Sequence, residues 1–211
     1  QPAPTTRLVA VSKTVDEAGI REALAAGQRL FGENRVQEAT AKFPALKADY
    51  PDLELHLIGP LQTNKVKFIA DFVQMIHSVD SLRLLAEIDK QAAKANRTID
   101  CLLQFHIAQE ETKFGLDETE AVALLQSPAF QQLKHVRLCG VMGMASFSDD
   151  KALVRSEFHH LQEIFQRIKK AFFPNDPHFR EISMGMSGDW EIAVEEGSTM
   201  VRIGSLLFGP R

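Results

Sequence analysis

Leu8-Val9-Ala10-Val11-Ser12-Lys13-Thr14 carries four apolar residues straight into a lysine. A run this short, rich in valine and bounded by Ser12 and Thr14, reads as a buried parallel-sheet strand covered on both faces, with Lys13 at its C-terminal mouth. A lone lysine at a strand end ordinarily lays its methylenes on the protein and its charge in water. Whether Lys13 does more depends on what the rest of the chain brings to it.

Seven further runs of the same kind follow: Arg29 to Phe31, Glu54 to Ile58, Gln74 to His77, Ile99 to His106, Val136 to Met142, Arg180 to Ser183 and Met200 to Ile203. Amphipathic segments alternate with them. In Asp16 to Gly27, Ile20, Leu24 and the alanines form one stripe and Gly27 offers a C-cap. Ser81 to Asn96 repeats the plan with Ser81 as N-cap and Asn96 as stop, and Asp150 to Phe173 halts before Pro174. No composition shift or Gly/Ser-rich linker divides the chain, so residues 1–211 are expected to form a single domain. Eight strand and helix pairs predict an α/β fold closed as a (βα)8 TIM barrel, because closure removes both sheet edges. A doubly wound open sheet is the competing architecture. Against it, no GxGxxG follows the first strand, and polar and glycine-rich residues collect after the strands, where barrels carry their chemistry.

Composition removes several function classes. With 24 basic and 28 acidic residues interspersed and a net charge of -4, the chain has no basic footprint for nucleic acid. No apolar stretch approaches the about 20 residues that span a bilayer, and no signal pattern opens the chain, so a cytoplasmic protein with no membrane partner is expected. Cys101 and Cys139 sit in apolar runs without CxxC spacing and read as small core residues in a reducing compartment. The chain opens on Gln1 rather than Met, which suggests a trimmed start.

After the first three strands the chain reads SKT, GENRVQE and HLIGPLQTNK, each polar where a barrel holds its site; the fifth ends in QEETKFG, the sixth in GVMGMAS, the seventh in SMGMSGD and the eighth in RIGSLLFG. Loops after strands seven and eight of a barrel commonly bind phosphate through backbone N–H groups near a short helix. Gly185, Ser187 and Gly188 in one loop, and Gly204 and Ser205 in the other, suit that role, although small residues also serve ordinary turns. Closure would set strand eight beside strand one, and so set Lys13 near a phosphate held at Gly204 and Ser205. A phosphate with a lysine one small ring away is what pyridoxal 5'-phosphate (PLP) requires, since the amine forms an imine with the aldehyde while the phosphate anchors the opposite side. Arg202, inward-pointing on strand eight, supplies a cation that would lower the lysine pKa.

With these motifs in order along nearly the whole chain, the sequence resembles the pyridoxal phosphate homeostasis family, also called the proline synthase co-transcribed family. The resemblance implies a PLP barrel of fold type III, similar to the N-terminal domain of alanine racemase. It implies that Lys13 carries PLP as an imine, that Met186, Ser187, Gly204 and Ser205 hold the phosphate, that Arg202 faces the pyridine nitrogen, and that Asn34 approaches the ring hydroxyl. It further implies a monomer. His106 and Phe114 depart from the family pattern, which has Asn and Ser there, and both are expected near the pocket mouth. The family usually opens with a helix for which Gln1 to Thr6 is too short.

Other conspicuous residues have plainer readings. His56 and His77 are expected to be hydrogen-bonded structural residues rather than acid-base groups. Asp149 and Asp150 precede a long helix and are expected to serve its start. Trp190 is expected in the core or the pocket wall, and the methionines of GVMGMAS and SMGMS either floor the ring or fill gaps.

Three functions compete. One is a PLP carrier that supports vitamin B6 homeostasis, with apo PLP-dependent enzymes as recipients. The second is a PLP-dependent amino-acid racemase, which needs a second base on the opposite ring face. Racemases resembling this barrel take that base from an appended domain, which is not expected in a chain ending at Arg211, and the one tyrosine, Tyr50, lies far from the expected site. The third is a Schiff-base aldolase that uses Lys13 without a cofactor. The carrier, a non-enzyme, is the favoured reading.

Overall fold

The protein is described here by a computed structural model covering residues 6–109 and 114–209. Eight parallel strands hydrogen-bond in chain order and close into a barrel. They are β1 (Arg7–Val11), β2 (Leu30–Glu33), β3 (Glu54–Leu57), β4 (Met75–Val79), β5 (Ile99–Phe105), β6 (Val136–Gly143), β7 (Glu181–Ser183) and β8 (Met200–Ile203). The helices are α1 (Glu17–Ala25), α2 (Val36–Asp49), α3 (Leu82–Lys94), α4 (Glu118–Gln126), α5 (Pro128–Gln131), α6 (Lys151–Phe172), α7 (Trp190–Glu195) and α8 (Ser205–Phe208), with a 3₁₀ helix at Thr63–Phe68 between β3 and β4. All eight expected strands are present. The second begins one residue later than expected and runs on through Gly32 and Glu33, because Glu33 still pairs with Leu57 of β3.

Local chemistry sets the helix ends. Asp16 accepts the Gly19 amide at the start of α1, Ser81 accepts the Leu84 amide at the start of α3, and Asp150 accepts from Ala152 and Leu153 at the start of α6. Asp117 and Glu120 form a reciprocal capping box on α4. In α6 the buried residues Val154, Phe158, Leu161, Ile164, Phe165 and Ile168 recur at three- and four-residue intervals, so one stripe packs on the sheet.

Two apolar layers result. The larger lies between the strands and the helices and includes Phe31, Phe43, Leu55, Phe158 and Phe179. The smaller fills the barrel itself with Val9, Leu30, Met75, Leu102, Cys139, Met142 and Met200. Strand side chains alternate between these layers, so residues two apart share a side. Cys101 belongs to the outer layer and Cys139 to the inner one, and both are free thiols. Burial pushes the Cys139 thiol up to about 12, as suits a core residue rather than a nucleophile.

Candidate functional site

The alternation places Lys13. Val9 points into the barrel and Val11 lines a cavity at the C-terminal strand ends, so Lys13, two residues on, enters the same cavity. Ala10 and Ser12 face the helices instead. There the Ser12 hydroxyl donates to Glu33 Oε1 over 2.8 Å, while Lys42 Nζ lies 2.7 Å from Glu33 Oε1 and donates to the Ser12 carbonyl over 3.0 Å. The knot is dry: Glu33 and Ser12 are fully buried, and burial pushes the Glu33 carboxyl up against the opposing pull of Lys42. Thr14, in the left-handed region at φ 63°, donates its amide to Glu38 over 2.7 Å. Together these contacts clamp the end of β1 to β2 and α2 and fix the backbone on both sides of Lys13. The Lys13 amine has no hydrogen bond or ion pair among the described residues.

The loops after β7 and β8 face it across the cavity. Asp189 accepts the Met186 amide over 2.6 Å and folds the β7 loop into a tight turn at the start of α7. Gly185 has φ +97°, and a Cβ there would stand 2.6 Å from that of Ala193, so only glycine lets the loop lie on α7. The Gly204 amide donates to Ser187 Oγ over 3.4 Å, which joins the two loops. The amides of Ser187, Gly188 and Ser205 have no acceptor among the described residues and line the same space. This gives a row of uncommitted donors beside a lysine.

Arg202 forms the floor. It is buried, donates to Ser183 Oγ over 2.7 Å and to the Gly143 carbonyl over 3.1 Å, and so commits two of its five N–H donors. Burial lowers it to about 10 while Asp189 opposes the shift, and the guanidinium is charged at neutral pH. Asn34, just past β2, borders the cavity where a Cβ on Gly59 would lie 2.3 Å from the Asn34 carbonyl oxygen, so Gly59 is required for that close approach. Lys13, Asn34, Met186, Ser187, Arg202, Gly204 and Ser205 therefore all line one cavity of about 550 Å³.

The structure adds residues that sequence reasoning missed. Asp189, Ser146 and Ser148 line the cavity, and the buried Glu157 of α6 accepts from the Ser146 amide and hydroxyl and from the Gln109 amide, tying two rim loops together. Asp149 lines the cavity too, leaving the capping of α6 to Asp150. Trp190 is neither core nor cavity wall: it opens α7 and is 38% exposed. In each Met-rich loop the first methionine, Met142 or Met184, is buried, and the second, Met144 or Met186, lines the cavity. His56 and His77 are buried and hydrogen-bonded to each other at 2.9 Å. Tyr50 packs at the end of α2 under the Arg29 guanidinium, away from the cavity. His106 and Phe114 line a recess adjoining the mouth, and residues 110–113 of the EETKFG motif lie outside the described residues. No described helix is long and apolar enough to cross a membrane.

Known proteins share this fold. Residues 1–211 match the family model described as alanine racemase, N-terminal domain. A pyridoxal phosphate homeostasis protein of Aquifex aeolicus is 42% identical over 205 residues, covering 97% of this chain and 87% of that protein. PipY of Synechococcus elongatus PCC7942, solved without PLP, superposes with a TM-score of 0.90 at 41% identity, covering 99% of this chain and 95% of its own. The same protein solved with PLP bound gives 0.88 at 40% identity over the same shares.

Proposed function

From the premise that the chain belongs to the alanine racemase N-terminal domain family, and within it to the pyridoxal phosphate homeostasis proteins, we propose that it binds PLP through Lys13 and serves intracellular homeostasis of that cofactor. One observation carries the reading: a lysine amine and a row of backbone amides without partners among the described residues share one cavity with a buried arginine. The residues present fit a group with an aldehyde, a phosphate and a ring nitrogen. PLP supplies the aldehyde that condenses with a lysine amine, with loss of water, to an imine.

Each residue then has a task. Lys13 is the attachment point, held by the clamp behind β1. The amides of Ser187, Gly188 and Ser205 take the phosphate, with the Ser187 and Ser205 hydroxyls and the small Gly204 assisting and Met186 bordering them. Asn34 lies on the ring's hydroxyl side. Arg202 meets the ring nitrogen, and its positive charge keeps that nitrogen unprotonated. A ring so held is a weak electron sink, which favours storage and release over committed turnover. We read residues 1–211 as one domain acting as a cytoplasmic monomer, with apo PLP-dependent enzymes as recipients. The racemase alternative keeps one foothold, the Asp149 carboxylate in the cavity.

Transfer tests the proposal. The holoprotein mixed with an apo PLP-dependent enzyme restores that enzyme's activity as the holoprotein's own visible absorbance falls. Retention of all cofactor in the presence of excess apo-enzyme contradicts a homeostatic carrier.

A further inference from the structure

Beneath Arg202, side chains from four strands make one hydrogen-bonded line through the barrel. Arg202 Nη1 donates to Ser183 Oγ over 2.7 Å, Ser183 Oγ lies 2.9 Å from His77 Nδ1, and His77 Nε2 lies 2.9 Å from His56 Nδ1. At the lower rim His56 Nε2 faces Glu54 Oε2 at 3.8 Å, and Glu54 pairs with Arg7. Ser183, His77 and His56 are each at least nine-tenths buried, so no bulk water satisfies them, and Arg202, buried to the same degree, touches only the cavity above.

Counting protons gives the line a direction. The Ser183 hydroxyl accepts from Arg202, and its own proton has one place to go among the described residues, His77 Nδ1. An accepting Nδ1 puts the His77 proton on Nε2, where it is donated to His56 Nδ1, and so puts the His56 proton on Nε2, toward Glu54. The opposite direction leaves the serine proton buried without an acceptor. Every O–H and N–H bond in the line therefore points away from Arg202 and toward the rim carboxylate.

We propose that this line is a relay serving Arg202: Ser183, His77 and His56 are positioning residues whose aligned dipoles present their negative ends to the guanidinium, with Glu54 as its distant counter-charge. A buried cation needs such company, since among the described residues its partners are otherwise the Gly143 carbonyl and the field of Asp189. The relay requires neutral rings. Burial supplies them, holding His56 down to about 3 and His77 well below its ordinary range, with Arg7 and Arg202 as the charges that reinforce the shift. The functional weight of the relay rests on the reading of Arg202 as the residue that meets the cofactor ring, whereas its existence does not.

The test uses the chain without cofactor, labelled with ¹⁵N in histidine and ¹³C at arginine Cζ. Both rings should carry their proton on Nε2 from pH 8 to pH 5. In Ser183→Ala the titration midpoint of the Arg202 Cζ signal should fall by at least about one pH unit, a tenfold loss of proton affinity, as removal of one acceptor from a charged donor implies. A proton on Nδ1 of either ring overturns the relay, and so does an unchanged Arg202 midpoint in a folded Ser183→Ala chain. If that variant does not fold, the ring tautomers of the unaltered chain still decide. Failure of PLP to bind that same chain, with the tautomers as expected, would remove the cofactor reading and leave the relay standing.

Discussion

Val9 of β1 lies in register with Arg202 of β8. Two residues further along each strand, Val11 comes beside Gly204, so the strand that carries Lys13 and the strand that ends in the Gly204-Ser205 turn reach the cavity as neighbours. Barrel closure is therefore what joins the amine and the proposed anion site, which lie at opposite ends of the sequence. The expected consequences follow from the parts it brings together.

The two hydroxyls of the anion site are separable from the backbone amides. A hydroxyl donating to a charged acceptor is worth about 1.5 to 3 kcal/mol, so Ser205→Ala should weaken PLP binding by tenfold to a hundredfold, as read by equilibrium titration of the visible band. A dissociation constant unchanged in the Ser187→Ala/Ser205→Ala chain contradicts the assignment of this loop pair.

The clamp behind Lys13 is predicted to behave as a buried ion pair. Lys42→Met strands the Glu33 carboxylate in a dry site and should cost about 3 kcal/mol in urea denaturation, the low end for buried pairs because Lys42 keeps 14% exposure. Adding Glu33→Leu should recover most of that loss. If the double variant is no more stable than Lys42→Met alone, the pair is not what holds the end of β1.

Acid should unfold the protein through its barrel histidines. Both have folded-state pKa values depressed below the usual 6.5, so their neutral burial contributes fully above pH 6.5, and that contribution is lost as pH falls toward about 3. Below pH 6.5 the unfolded chain takes up two protons that the native chain refuses, at about 1.4 kcal/mol per ring and pH unit. Between pH 7 and pH 5 the two rings alone should lose about 4 kcal/mol, partly offset by the raised Glu33, which gains stability as pH falls toward 4.5, and followed below 4.5 by a further loss from the depressed Glu38. A flat stability profile across that window would show that the rings protonate in the native state.

The barrel was legible because its signal is local. Apolar runs such as Leu8 to Val11, caps such as Ser81 and Asp150, and the stop at Asn96 act within a few residues. Most of the cavity residues were legible for the same reason, since they follow a strand and share its direction, and Arg202 because it sits on the last strand itself. What escaped was pairing at long range. Nothing near Ser183 announces His77, 106 positions away, and Glu157 reads as one more charge on α6 until the rim loops fold onto it. Asp149 and Asp150 look equivalent in the chain, yet one caps a helix while the other borders the cavity. Trp190 failed as a core residue because α7 is a short helix on the outside of the barrel, where its first turn meets solvent.

Turnover is the point at which carrier and racemase part. On the proposed placement of Arg202 at the ring nitrogen, deprotonation of a bound amino acid at Cα should be the failing step, even where its amine exchanges with Lys13. Holoprotein incubated with alanine in deuterated water should show no sustained Cα exchange or loss of optical activity. Exchange at about 1 per second or faster, the range of dedicated enzymes, would instead support the racemase, with loss of exchange in Asp149→Asn naming the base.

The most direct measurement is to reduce the holoprotein with borohydride and map the fixed cofactor by peptide mass spectrometry. The account predicts one adduct, on the peptide carrying Lys13, and no visible band or adduct in Lys13→Ala. An adduct on another lysine, or a band that survives Lys13→Ala, contradicts it.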